Sequence, residues 1–249
     1  MSLPAIRDLL APEEVHLWIA EPPALDDPEL LAAYDALMTD DERARQRAYV
    51  HERNRREALV TRALVRASLS QYRAIAPSAW RFRIGEHGRP EIDPPCGLRF
   101  NLSNHPSMVV CAIVLERDIG VDVEPMTRGE EILSVADTVF APSELAELRA
   151  LSAPEEADRA VTLWTLKEAY IKARGKGLSL PLDAFAFHFA PGAPPVVSFD
   201  PRIDDRAARW TFRTCDVRGH RIALAVDGPV AAVRLREGIP RLDGGDQPR

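Results

Sequence analysis

The chain has 249 residues, of which 46% are hydrophobic and 28% charged. That is the balance of an ordinary globular protein able to bury one large core or two small ones. A formal net charge of −6 argues against an all-over binder of nucleic acid or anionic membrane, so any basic site must be local. Arg7, Asp8, Glu13 and Glu14 interrupt the first twenty positions, and no uncharged run is long enough to span a bilayer, so a cytoplasmic protein is expected. Cys96, Cys111 and Cys215 are isolated, show no metal-ligand spacing, and read as reduced packing residues.

In chain order, V-H-L-W-I over residues 15–19 predicts a strand, with His16 as half-buried scaffolding. The proline-rich E-P-P-A-L-D-D-P is a loop, and a short helix follows over Pro28 to Leu37. Thr39 with Glu42 three residues on is a capping-box signature, so a helix starts near Asp40. After a break between His51 and Asn54, Leu59, Val60, Ala63, Leu64 and Ala67 keep helical spacing towards Tyr72. This segment is rich in arginine, including Arg43, Arg45, Arg47, Arg53, Arg55, Arg56, Arg62 and Arg66. In an acidic chain it reads either as a solvated helix face or as a place for a polyanion, since arginine's planar fork suits phosphate oxygens. Residues 80–84 alternate like a strand, Gly88-Arg89-Pro90 is a turn, and F-N-L-S-N-H-P-S leads into the buried strand Met108 to Leu115. Ser103 and Asn104 offer hydroxyl, amide and backbone donors, to a phosphate or to local turns.

The next strand, I-G-V-D-V-E over 119–124, places Asp122 and Glu124 on one face, ~7 Å apart, and Val121 and Val123 on the other. Two like charges on one strand face repel, so they belong either to an edge in water or beside a hard divalent cation. Mg²⁺ is the first candidate, because it takes a few carboxylates and keeps waters or phosphate oxygens in its other positions. A helix is expected from about Glu130 to Val139. Another begins at Pro142 or Ser143, with Glu144 in its first turn where the helix dipole favours a carboxylate. S-A-P-E-E-A-D reads as a loop before a helix over 160–174. There Leu163, Leu166, Tyr170 and Ala173 make an apolar stripe, and Glu168 and Lys172 share the flank beside it. The pair is open to two readings: a surface ion pair, or a carboxylate and an amine presented side by side on a rigid element. Lys167 falls at a different angle and reads as peripheral. Gly175 and Gly177 stop the helix, and short alternating strands beyond Pro181 predict antiparallel sheet.

The order F-N-L-S, G-V-D-V-E, F-A-P-S-E and W-T-L-K-E-A-Y-I-K-A-R-G-K-G-L-S-L-P resembles the 4'-phosphopantetheinyl transferases of the long, surfactin-synthetase-activating type, over Thr39 to about Phe187. The resemblance implies an α+β fold, a pseudo-duplicated monomer of two similar α/β halves with coenzyme A and Mg²⁺ in the cleft between them. Residues 1–117 would form the half that grips the coenzyme A phosphates, 118–238 the half with metal and catalytic helix, and 239–249 a flexible tail. It implies Asp122, Glu124 and Glu168 as metal ligands, Lys172 against phosphate oxygens, and Glu144 as a further residue near the active site. Arg45 and Arg56 would grip the 3'-phosphate, Arg89 would lie along the adenine nucleotide, and Ser103 and Asn104 would be neutral donors, with His105 left open. The implied reaction moves the phosphopantetheine arm of coenzyme A onto a serine of an apo acyl or peptidyl carrier protein and releases 3',5'-ADP. A serine hydroxyl needs a base, either Glu168 or a metal-bound water. Competing readings are a coenzyme A binding module without transfer, a Mg²⁺-dependent pyrophosphatase of coenzyme A, and an arginine-helix nucleic-acid binder.

Overall fold

The computed structural model describes residues 9–85 and 87–241. In chain order the elements are β1 (Glu14–Ala20), α1 (Pro28–Asp35), α2 (Asp40–Arg47), α3 (Glu52–Tyr72), β2 (Phe82–Ile84), β3 (Pro90–Ile92), β4 (Leu98–His105) and β5 (Met108–Leu115). They continue with β6 (Ile119–Pro125), α4 (Gly129–Leu133), α5 (Ala136–Val139), α6 (Pro142–Leu148), α7 (Ala153–Arg174), β7 (Phe185–His188), β8 (Val196–Phe199), β9 (Trp210–Val217), β10 (His220–Asp227) and β11 (Ala232–Glu237). This is an α+β chain, and it divides into two compact units. One takes the chain up to Gly85, Pro90–Glu116 and the segment from Ala231 onward; the other takes Arg117–Val230 with the turn that ends at Arg89.

In the first unit the four strands lie in the order β11-β1-β5-β4, with β1 and β11 parallel and the other neighbours antiparallel. Helix α3 buries Val60, Leu64, Val65 and Leu69 against Trp18, Phe100, Val109 and Ile113 of the sheet. The expected capping box is present: Glu42 N–H donates to Thr39 Oγ1 at 3.2 Å, and Thr39 N–H to Glu42 Oε2 at 2.9 Å. That glutamate also holds the buried Arg66, whose Nη2 stands 2.8 Å from Oε2 while Nη1 donates to Trp80 O at 2.7 Å. His16 is buried rather than half-buried, with Nδ1 2.7 Å from the Tyr72 hydroxyl.

The last strand departs from the expected division at residue 238. Rather than joining the antiparallel strands before it, β11 completes the first unit's sheet. The outer edge of β1 needs partners for its backbone groups, and Ala231 N–H to Glu13 O at 2.9 Å and Gly238 N–H to Ile19 O at 2.8 Å bracket the pairing. Ile239 then packs on the first unit's core and Pro240 is buried, so the expected loose tail does not begin at 239. Its remainder from 242 lies outside the described residues.

In the second unit α7 lies on an antiparallel sheet of order β6-β10-β9, and β7 and β8 form a hairpin. Leu163, Leu166, Tyr170 and Ala173 are all buried, as their spacing requires. Tyr170 sits at the centre, its ring 5.0 Å from Phe185 and 5.3 Å from both Phe199 and Trp210. The helix starts earlier than expected: Ser152 and Glu155 form a capping box and a proline occupies the first turn, so the stretch read as a loop is a helix start. The helix expected over 130–139 instead breaks into α4 and α5, with the Ser134 and Thr138 hydroxyls bonding back to the carbonyls of Glu131 and Val135. Gly175 closes α7 in the left-handed conformation, φ 62°, donating to Ile171 O at 3.0 Å.

Candidate active site

Period two along β6 places Gly120, Asp122 and Glu124 on one face, and that face is turned to α7. A Cβ at Gly120 would overlap Ala169 O and Ala173 N, so only glycine lets the helix backbone lie this close. Strand and helix run in opposite directions past one another. Gly120 meets the Ala169–Ala173 turn, Asp122 Oδ1 accepts from Lys172 Nζ at 2.7 Å, and Glu124 Oε1 accepts from Trp164 Nε1 at 3.1 Å. Trp164, Glu168 and Lys172 follow one another at four-residue spacing, so Glu168 is one turn from each of the contacts to β6.

The three carboxylates act on one another. Asp122 is 4% exposed and Glu124 9%. Burial pushes the Glu168 carboxyl above its ordinary range, the Asp122 and Glu124 charges push it further, and Lys172 opposes them. Glu124 is raised likewise by burial and by Asp122, with Arg128 and Trp164 opposing. Arg128 Nη1 lies 2.6 Å from the oxygen that Trp164 also holds. Three acids therefore share this face with two cations. An all-oxygen donor set of this kind suits Mg²⁺. As the side chains stand, no group of three or more His, Cys, Asp or Glu among the described residues could hold a metal ion; Asp122 and Glu124 are drawn onto Lys172, Arg128 and Trp164.

Glu144 and Lys167 make a separate, closed site in the same unit. Lys167 is 0% exposed and Glu144 1%. Nζ stands 2.7 Å from Glu144 Oε2 and donates to Leu182 O at 2.8 Å and Phe185 O at 2.6 Å, while Glu144 accepts from Ala141 N–H and Phe187 N–H, each at 2.8 Å. Lys167 is thus not peripheral, and Glu144 is spoken for by a buried lysine and two backbone donors. The angle that took Lys167 off the apolar stripe turned it towards α6 and β7. Burial pulls the Lys167 amine below its ordinary range, and the Glu144 carboxylate opposes that.

Arg89, in the turn before β3, is half-buried. Its Nη1 donates to Ala173 O at 3.1 Å and Nη2 stands 3.6 Å from Asp118, at the negative end of α7. In the first unit, Arg45 is exposed with Nε 3.3 Å from Asp41 O, and Arg56 Nη1 donates to Leu25 O at 2.7 Å. Ser103 is buried in β4, and the exposed Asn104 donates through Nδ2 to Glu57 on α3. His105 pairs with Ser107 Oγ at 2.7 Å. Sequence reasoning passed over Trp164 and Arg128. Four-residue spacing back from Glu168 was a signal for the tryptophan; Arg128 follows a proline turn and carried none.

Residues 118–225 match the model of the 4'-phosphopantetheinyl transferase superfamily. The 4'-phosphopantetheinyl transferase HetI of Nostoc sp. is 31% identical over 196 residues, covering 77% of this chain and 81% of that protein. The 4'-phosphopantetheinyl transferase Sfp of Bacillus subtilis is 32% identical over 151 residues, covering 61% of this chain and 66% of Sfp. A holo-(acyl-carrier-protein) synthase from Bacillus anthracis, solved in complex with CoA, is 17% identical with a TM-score of 0.39, covering 45% of this chain and 96% of its own.

Proposed function

The chain belongs to the 4'-phosphopantetheinyl transferase family, and from that premise we propose that it moves the phosphopantetheine arm of coenzyme A onto a serine hydroxyl of an apo acyl or peptidyl carrier protein, leaving 3',5'-ADP. The observation that carries the reading is the acid face: Asp122, Glu124 and Glu168 of β6 and α7 outnumber the two cations beside them, Lys172 and Arg128, and burial with the Asp122 charge pushes both glutamates above their ordinary range, an arrangement suited to a further cation.

Asp122, Glu124 and Glu168 would hold Mg²⁺, which when bound supplies positive charge to a pyrophosphate. Glu168, whose proton affinity is raised by burial, is suited to take the proton of the attacking serine. Lys172 Nζ, already fixed at 2.7 Å from Asp122, brings a cation to the charge that develops on the departing nucleotide. Glu144 supports rather than reacts: through Lys167 it ties α6 and β7 to the helix that carries Glu168. Arg89 is assigned to the nucleotide from its place at the end of α7, and on the first unit Arg45, Arg56, Ser103 and Asn104 to phosphate oxygens. A place in the cytoplasm accords with free Cys96, Cys111 and Cys215. No helix among the described residues is long and apolar enough to cross a membrane.

Incubation with coenzyme A and Mg²⁺, with and without an apo carrier protein, tests the proposal. A phosphopantetheine mass increment on the carrier is expected, with 3',5'-ADP appearing only when carrier is present. Release of 3',5'-ADP without carrier would show hydrolysis instead, and tight coenzyme A binding with neither product would leave a binding module.

A further inference from the structure

Arg128 has no part in the chemistry just assigned, yet it makes the closest cationic contact to the acid face, Nη1 at 2.6 Å from Glu124 Oε1. The same guanidinium reaches Glu131 on α4, with Nε 3.2 Å from Oε2 and Nη2 on Oε1. It therefore bridges a carboxylate that is 9% exposed and one whose side chain is 65% exposed. We propose that Arg128 is a resident counter-cation that competes with a divalent metal for Glu124 and so sets the metal affinity of this site. The inference rests on the metal reading above and deepens it.

Glu124 is 9% exposed and shares its strand face with Asp122, and a buried carboxylate calls for a cation. Arg128 supplies that cation, and Trp164 fixes the same oxygen from the other element. A divalent ion that took Glu124 as a ligand would have to displace the guanidinium from its oxygen or share that carboxylate with it, and like charges on one carboxylate repel. Arg128 has a place to withdraw to, because Glu131 already holds two of its nitrogens. Lys172 stands to Asp122 as Arg128 does to Glu124, but it has a role in the reaction and Arg128 does not. Each of the two contacts occupies a carboxylate oxygen that a metal ion would also seek.

The test is Mn²⁺ binding to the full chain without coenzyme A, read by the electron paramagnetic resonance of free Mn²⁺ at fixed ionic strength. Removing one positive charge about 5 Å from a divalent ion should tighten binding roughly tenfold in Arg128→Gln. Arg128→Lys keeps the charge and should stay near the parent protein. Glu131→Gln removes the refuge and should weaken binding about threefold. Arg128→Gln binding no tighter than the parent, with an unchanged thermal midpoint, would overturn the proposal. If the parent binds Mn²⁺ and Glu168→Gln does not, while Arg128→Gln is no tighter, only the role of Arg128 falls. If the parent binds no Mn²⁺ at all, the metal reading falls and takes this inference with it.

Discussion

Helix α7 carries two lysines five positions apart, and each ends 2.7 Å from a carboxylate: Lys167 from Glu144, Lys172 from Asp122. The contacts are alike in chemistry and length, and the surroundings separate them. Around Lys167 the account is closed, one acid to one base, with both side chains excluded from water and further contacts from backbone groups and the Phe185 ring. Around Lys172 it is open, with two more acids nearby and the lysine side chain 28% exposed. A salt bridge by itself is weak evidence of purpose. An unbalanced surplus of one charge in a half-buried place is better evidence, because folding alone would select against it.

Substitutions on the two sites should therefore behave in opposite ways. The largest effect is expected from Glu168→Gln and Asp122→Asn, which should lower carrier modification about a thousandfold while circular dichroism stays that of the folded protein. Near-normal turnover in either would remove that residue from the acid face's function. Lys167→Ala leaves Glu144 charged in a dry interior and should cost about 3–5 kcal/mol, a thermal midpoint lower by roughly 10 °C. Glu144→Gln should also lower the midpoint. Glu168→Gln should instead raise it slightly in metal-free buffer, because burial and its neighbours already hold this carboxyl above the ordinary range and the amide carries no charge. Two Glu→Gln changes in one unit moving the midpoint in opposite directions is the sharpest form of the comparison; a fall at both would merge the two sites into one kind. Smallest of all, Trp164→Phe deletes one hydrogen bond to Glu124 and should reduce turnover about fivefold without moving the midpoint much.

The sequence made the local features readable. A continuous apolar run placed β5 and alternation placed β6 within a residue of their ends, the Thr39–Glu42 box started α2, and helical spacing put Glu168 and Lys172 on one flank. What escaped it depended on partners far along the chain. Lys167 looked like a residue turned away from the core until Glu144, 23 positions earlier, came to meet it on α6. The strand pairing of β11 with β1 joins residues more than two hundred positions apart, and no periodicity within either strand records it. Ser152 and Glu155, by contrast, did spell a helix start; the prolines and charges around them disguised it. The resemblance supplied the identity of the acid trio, while the reason those acids meet, a glycine that lets helix and strand backbones touch, came from the fold.

The return of β11 to the first sheet also reverses an order. A polypeptide made from its amino end has every residue of the second unit, through Val230, before the strand that seals β1 has been synthesised. The part begun first is thus completed only after the second unit, and a nascent chain holds the outer edge of β1 bare until Ala232–Glu237 emerge. Truncation after Val230, which removes β11, would accordingly injure the beginning of the molecule and spare its middle.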